Sequence, residues 1–188
     1  SDFTQVRIKL HRMKSNAHPS VDSQMPLMKY RTMSWWKEYC LGKKTAYASS
    51  DSDSNSNSES VGESVESSVA DKSPKNDSLS SLRQNGQLPL LSTLFELPQE
   101  EVQRVIEYHI KWIREFGFGH QNGLWIYALL VLLEKPITSE VCSVLRQLSR
   151  VCSEIRDKIK NPSSKRLIPL NLIICIIGRY FSQLDMVD

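Results

Sequence analysis

The chain has 188 residues, room for one ordinary domain and a further segment, and its 24 Lys/Arg against 21 Asp/Glu conceal an uneven charge. Residues 1–48 carry nine Lys/Arg against three Asp/Glu, residues 49–81 two against seven, and residues 82–188 thirteen against eleven. Its longest uninterrupted apolar run, Leu124 to Leu133, is about half of what a membrane-spanning helix needs, and its four cysteines form no C-x-x-C pair, which argues against a structural zinc site.

Residues 1–14 place Phe3, Val6, Leu10 and Met13 at helical spacing, with Arg7, Lys9, Arg12 and Lys14 filling much of the rest. A basic amphipathic helix this short is marginal alone and must dock: on the body, on a membrane or on nucleic acid. Residues 15–31 contain Pro19 and Pro26 without a clear period and read as a loop. Ser34 to Gly42 reads as one short helix, with Ser34 as N-cap and Gly42 beyond its end. Trp35, Trp36 and Tyr39 should anchor it to the body.

Residues 48–81 are a Ser, Asp and Glu tract without an aromatic residue, expected to be disordered. Ser50, Ser56, Ser60 and Ser68 each precede an acidic residue by three positions, the pattern acid-directed kinases favour, though chance supplies such sites in any acidic serine tract.

Residues 86–188 form the body. Leu88 to Phe95 reads as a short apolar helix or turn. Pro98 suits a first helical position, followed by Glu100 and Glu101 and the stripe Val102, Val105, Ile106, His109, Trp112, Ile113 and Phe116. Gly117 and Gly119 stop that helix. Gly123 to Lys135 is apolar on almost every side, the mark of a central helix, and Pro136 stops it. Thr138 caps the next helix, which Asn161 and Pro162 end, and a last one runs from near Pro169 to about Leu184. No period-two alternation survives, so the fold class is all-α. It is a bundle of about five helices, with N-terminal helices across it and a disordered acidic loop. The divisions are 1–47, basic helices packing on the body; 48–85, linker; and 86–188, the helical partner-binding domain.

No catalytic, metal or cofactor constellation emerges. His109 sits on an apolar stripe, where a core or rim histidine with one bonded nitrogen is the plainer reading than a base or ligand. Cys142 and Cys152 are ten residues apart on one helix, too far for one metal or one disulfide. Cys142, Cys152 and Cys175 lie among apolar residues, as ordinary buried thiols do, which fits a reducing compartment. The basic head with Trp35, Trp36 and Tyr39 has the composition of a stacking and phosphate surface, which makes RNA binding the alternative function. The apolar helices of residues 123–135 and 169–184 point instead to a module that receives a partner helix.

Five blocks resemble one family. Trp36-Lys37-Glu38-Tyr39-Cys40-Leu41-Gly42, Leu88-Pro89-Leu90-Leu91-Ser92, Gly123 to Pro136, Leu145 to Arg156 and Pro169 to Phe181, ending in Gln183-Leu184-Asp185, are similar in order to the Gemin-two family, which binds the survival motor neuron protein. The resemblance implies a non-enzymatic, cytoplasmic and nuclear subunit of the complex that places Sm proteins on spliceosomal small nuclear RNAs. It implies a helix of the survival motor neuron protein and Sm proteins as partners, with RNA reached only indirectly, no membrane and no cofactor. Candidate partner contacts are Leu124, Trp125, Leu129, Arg146, Arg150, Ile177, Arg179, Tyr180 and Phe181, and candidate Sm contacts are Arg7, Arg12, Trp35 and Trp36. Some members carry Arg where Leu124 stands; here the partner has changed too, or Arg146, Arg150 or Arg179 takes over. The family's extended N-terminal arm would precede residue 1. The chain opens with Ser1 rather than Met, so we expect a fragment without it.

Overall fold

Periodic apolar stripes become helices because each buries one face, and every element that the computed structural model describes is helical. The structure describes residues 3–16, 31–42, 86–161 and 163–182. The expected disordered tract, the loop prolines and Leu184 lie outside those residues.

Among the described residues seven helices follow in chain order: α1 (Phe3–Asn16), α2 (Met33–Leu41), α3 (Leu91–Phe95), α4 (Gln99–Phe116), α5 (His120–Leu132), α6 (Ser139–Lys158) and α7 (Leu167–Cys175). One wide turn, Ile176–Tyr180, continues α7 and closes with Phe181 N–H donating to the Ile176 carbonyl, five residues back, at 3.3 Å. No strand occurs among the described residues. Five helices lie within residues 86–188, as the patterning predicts, and α1 and α2 pack on them.

The ends are set by side chains that the pattern places a few residues off. Thr32, not Ser34, caps α2: its Oγ1 accepts from Trp35 N–H at 3.2 Å, and Ser34 is already helical. Pro98 is extended (ψ 155) and stands just before α4 rather than in its first turn. The central helix begins at His120, three residues early, because Asn122 Oδ1 accepts from Gly119 N–H at 2.9 Å. It stops at Leu132, before Pro136 is reached. Thr138 caps α6 as expected, its Oγ1 accepting from Val141 N–H at 3.3 Å.

The core runs along α5. Trp125 and Leu129 are fully buried there, and the same core takes in Trp112 of α4, Leu145 and Leu148 of α6 and Ile173 of α7. Trp36 of α2 enters this core and donates from Nε1 to Glu101 Oε1 at 2.9 Å. The second oxygen of that buried carboxylate accepts from Arg104 at 2.7 Å, so Glu101 is desolvated with both oxygens bonded. Trp35 remains half-buried, stacked on Tyr39 at 4.8 Å under the Arg31 guanidinium.

The chain leaves α2 at Gly42 and resumes at Gly86 in the same place. Gln87 N–H donates to the Tyr39 carbonyl at 2.7 Å, and Trp125 Nε1 donates to the Gln87 carbonyl at 2.8 Å. Gly86 has φ +78, and a Cβ there would collide with the Cys40 carbonyl oxygen, so no other residue fits.

Burial pushes the Cys40 thiol up and the Cys152 thiol up to about 12, whereas Cys175, read as buried from its apolar neighbours, is exposed because it lies on the outer face of α7, and Cys142 is half-buried. A thiolate is the reacting species. Maleimide labelling of the native chain is therefore expected to modify Cys175 and leave Cys40 and Cys152 untouched until denaturant is added, as peptide mass mapping will read. Early modification of Cys152 would contradict its packing.

Candidate partner-docking groove

An all-apolar helix does not declare which side faces out, and packing decides it. On α7, Leu170, Ile173 and Ile174 turn inward, while Ile168 (71% exposed), Leu172 (45%) and Cys175 form a stripe at i, i+4, i+7 in solvent. On α5 the half-buried residues are Gln121, Leu124, Tyr127 and Ala128. The two helices meet at Gly123, where a Cβ would stand 3.3 Å from the Pro169 Cβ. Leu124 and Ile168, the chain neighbours of that contact, are both accessible. Accessible apolar side chains thus stand on both helices beside this seam: Leu124 and Ala128, half-buried, on α5, and Ile168 and Leu172, exposed, on α7.

The other end of the seam is filled by the chain itself. Phe3 of α1 lies edge-on to Tyr127 (6.0 Å), Tyr180 (4.9 Å) and Phe181 (6.5 Å). Arg7 is buried: its Nη1 donates to the Leu130 carbonyl at 3.0 Å and the Val131 carbonyl at 2.8 Å, and its guanidinium carbon stands 5.1 Å from the Tyr180 ring centre. Lys135 Nζ sits 4.0 Å from the same ring and donates to the Tyr180 carbonyl at 2.6 Å.

Several expected contacts change role in this arrangement. Trp125, Leu129, Ile177 and Phe181 are buried and pack the core, because the faces carrying them turn inward. Tyr180 is half-buried, and its ring holds Phe3. Leu124 is accessible in the groove, Arg179 is exposed at the end of the wide turn, and Arg146 and Arg150 lie on the solvent face of α6. Of the residues assigned to Sm contacts, Arg12 is exposed and Trp35 half-buried, whereas Arg7 and Trp36 are withdrawn into the body. Arg7 is thereby lost to an RNA-binding surface as well. Arg7 and Tyr180, assigned to different partners on sequence grounds, touch each other.

Ile168, Leu172, Cys175 and Tyr127 are not among the contacts the sequence suggests, and Phe3 appears there only as part of an apolar stripe. The i, i+4, i+7 spacing was there to be read on α7, but equally apolar residues on the opposite side masked it. The seat of Phe3 joins residues more than a hundred positions apart and left no local signal.

His109 is fully buried on α4. Asn122 Nδ2 donates to its Nδ1 at 3.2 Å, since Asn122 Oδ1 is taken by Gly119 N–H, which puts the ring proton on Nε2. No hydrogen-bond partner meets Nε2 among the described residues. Desolvation lowers its pKa to about 3, so the ring is neutral at physiological pH. Among the described residues no His, Cys, Asp and Glu group is placed to hold a metal ion, and no helix is long and apolar enough to cross a membrane.

The described residues thus form an all-α bundle with accessible apolar residues along the seam of two helices. The family described as survival motor neuron (SMN) interacting protein 1 (SIP1) matches residues 1–184, and the chain belongs to that family. Gem-associated protein 2 of Xenopus laevis is 35% identical over 189 residues, covering 100% of this chain and 66% of the relative. The Mus musculus protein of the same name is 34% identical over 187 residues, covering 99% and 62%. The chain thus spans about two thirds of the length of these relatives. A chain in a solved structure called "The 8S snRNP Assembly Intermediate" is 30% identical, with a TM-score of 0.50, covering 61% of this chain and 56% of that one.

Proposed function

We propose that this chain is a non-enzymatic subunit of the machinery that assembles small nuclear ribonucleoproteins, working in the cytoplasm and nucleus. It takes an amphipathic helix of the survival motor neuron protein into the seam between α5 and α7 and meets Sm proteins through its N-terminal helices, where Arg12 and Trp35 are accessible. RNA is reached through those partners.

The observation that carries this reading is the exposed stripe of Ile168, Leu172 and Cys175 beside the accessible Leu124. Apolar side chains aligned at helical spacing along a seam are what an amphipathic helix covers. The family's description, the relatives' shared name and the assembly-intermediate neighbour support the identity of the partner.

Replacing Leu172 by glutamate puts a charge in the seam without disturbing the core. Titration with a synthetic peptide of the acidic N-terminal helix of the survival motor neuron protein is expected to give one-to-one binding with a negative heat-capacity change. Leu172→Glu is expected to weaken it by about thirtyfold or more, the scale of an interface anchor, with the circular dichroism unchanged. Equal affinity for the two proteins would move the partner off this seam.

A further inference from the structure

We infer that His109 and Ser149 together bind one internal water molecule between α4 and α6, the last link of a buried polar chain that begins at the start of α5. Two links of that chain are direct. Gly119 N–H donates to Asn122 Oδ1 at 2.9 Å, and Asn122 Nδ2 donates to His109 Nδ1 at 3.2 Å. The ring proton is thereby left on Nε2, at the opposite edge of the imidazole from α5. His109 is fully buried, and its Nε2 meets no acceptor among the described residues. Ser149 is 1% exposed, and its Oγ is likewise without a hydrogen-bond partner there. A serine inside a helix commonly turns its hydroxyl back to the carbonyl one turn earlier, and this one does not. Two buried polar groups left in this way are costly, and native interiors satisfy such groups with protein or with water.

The fold brings the two to one level. Gln99, at the start of α4, donates from Nε2 to the Leu132 carbonyl at the end of α5 and accepts from Glu134 N–H at Oε1. The chain enters α6 at Ser139, five residues further on, so α4 and α6 leave the same end of the bundle and pack side by side. His109 is ten residues beyond Gln99 and Ser149 ten beyond Ser139, which puts each about 15 Å along its helix. The chemistry then selects the ligand. It must accept from Nε2–H, which excludes a metal cation at that nitrogen, and a neutral molecule avoids the cost of burying an anion. Water accepts there, exchanges a hydrogen bond with the Ser149 hydroxyl, and has a hydrogen left for the spare lone pair of a helix carbonyl, about the three bonds usual for a buried water. The rival is an N–H···π contact with Trp112, whose ring stands edge-on to His109 at 4.9 Å. It leaves Ser149 unexplained.

The test is nuclear magnetic resonance of the nitrogen-15-labelled full chain, reading the His109 Nε2–H proton for cross-relaxation with water. The unaltered chain is expected to show a cross-peak at the water frequency, with the sign of a bound water rather than of proton exchange. Ser149→Ala removes one of the water's partners and is expected to weaken that cross-peak and shift the Nε2–H resonance. Ser143→Ala, on the exposed face of the same helix, is expected to change neither. No cross-peak in the unaltered chain overturns the water site and leaves the ring donating to Trp112. A cross-peak that Ser149→Ala leaves unchanged removes Ser149 from the site and overturns the bridge between α4 and α6. The first arm uses the unaltered chain alone, so it decides the water site whatever the variants do.

Discussion

Trp125→Ala is expected to cost about 3–5 kcal/mol of stability, the range for truncating a fully buried aromatic side chain. The indole is packed edge-on against Trp36 at 6.2 Å and Tyr39 at 5.8 Å, and its Nε1 holds the Gln87 carbonyl. The substitution therefore opens a cavity where α2, α5 and the returning chain at Gly86 meet, and removes the donor that pins the last of these. A loss of that size is a large share of a domain's total stability. The urea midpoint should fall by about 2 M if the slope is near 2 kcal/mol per molar. Tyr180→Ala, at a half-buried ring, should cost less, and the comparison separates core from groove. A Trp125→Ala protein that unfolds at the unaltered midpoint yet fails to bind the partner peptide would return Trp125 to the docking surface.

Acid is expected to destabilise the fold through His109. An unfolded histidine titrates near 6.5, and the buried ring at about 3. Between those values the unfolded chain binds a proton that the folded chain refuses, so stability rises with pH across the window and is lost as pH falls. The contribution is intact above about pH 6.5 and declines by about 1.4 kcal/mol per unit below it, reaching about 5 kcal/mol near pH 3. The cause is desolvation of the fully buried ring. A proton on Nδ1 would in addition face the donating Nδ2 of Asn122, which cannot turn round without giving up Gly119 N–H at the start of α5. Urea denaturation between pH 6.5 and 5, where carboxylates titrate least, should show about 2 kcal/mol more loss for the unaltered protein than for His109→Gln. Parallel pH profiles would mean that the ring takes up its proton in the native state.

Much of this architecture was legible because a helix needs only a repeated apolar stripe. The run from Val102 to Phe116 and that from Val141 to Ile159 announce α4 and α6 in any register. Caps were less legible, because Thr32, Asn122 and Ser34 are all competent residues and backbone direction selects among them. The groove was least legible. In α5 and α7 nearly every position is apolar, so composition announces burial without saying which side is spared. Trp125 and Phe181 look like anchors by type, and Leu172 does not, yet solvent reaches only Leu172 among the three. Arg7 misleads in the opposite sense. A cation on a basic helix reads as surface charge, and only the carbonyls at the end of α5, more than a hundred residues away, explain its burial.

The junction of Gly42 and Gly86 separates what the fold must keep from what it can vary. Tyr39, Gln87 and Trp125 fasten the two ends side by side, so the junction itself holds whatever the number of residues between them. Closing a loop of twice the length costs only about 0.6 kcal/mol more, less than many single substitutions in the core. Loop closure alone therefore sets little limit on the length between the two glycines, while Gly86 itself admits no replacement. Relatives that share these helices can differ in the length between the two glycines and still close the same junction.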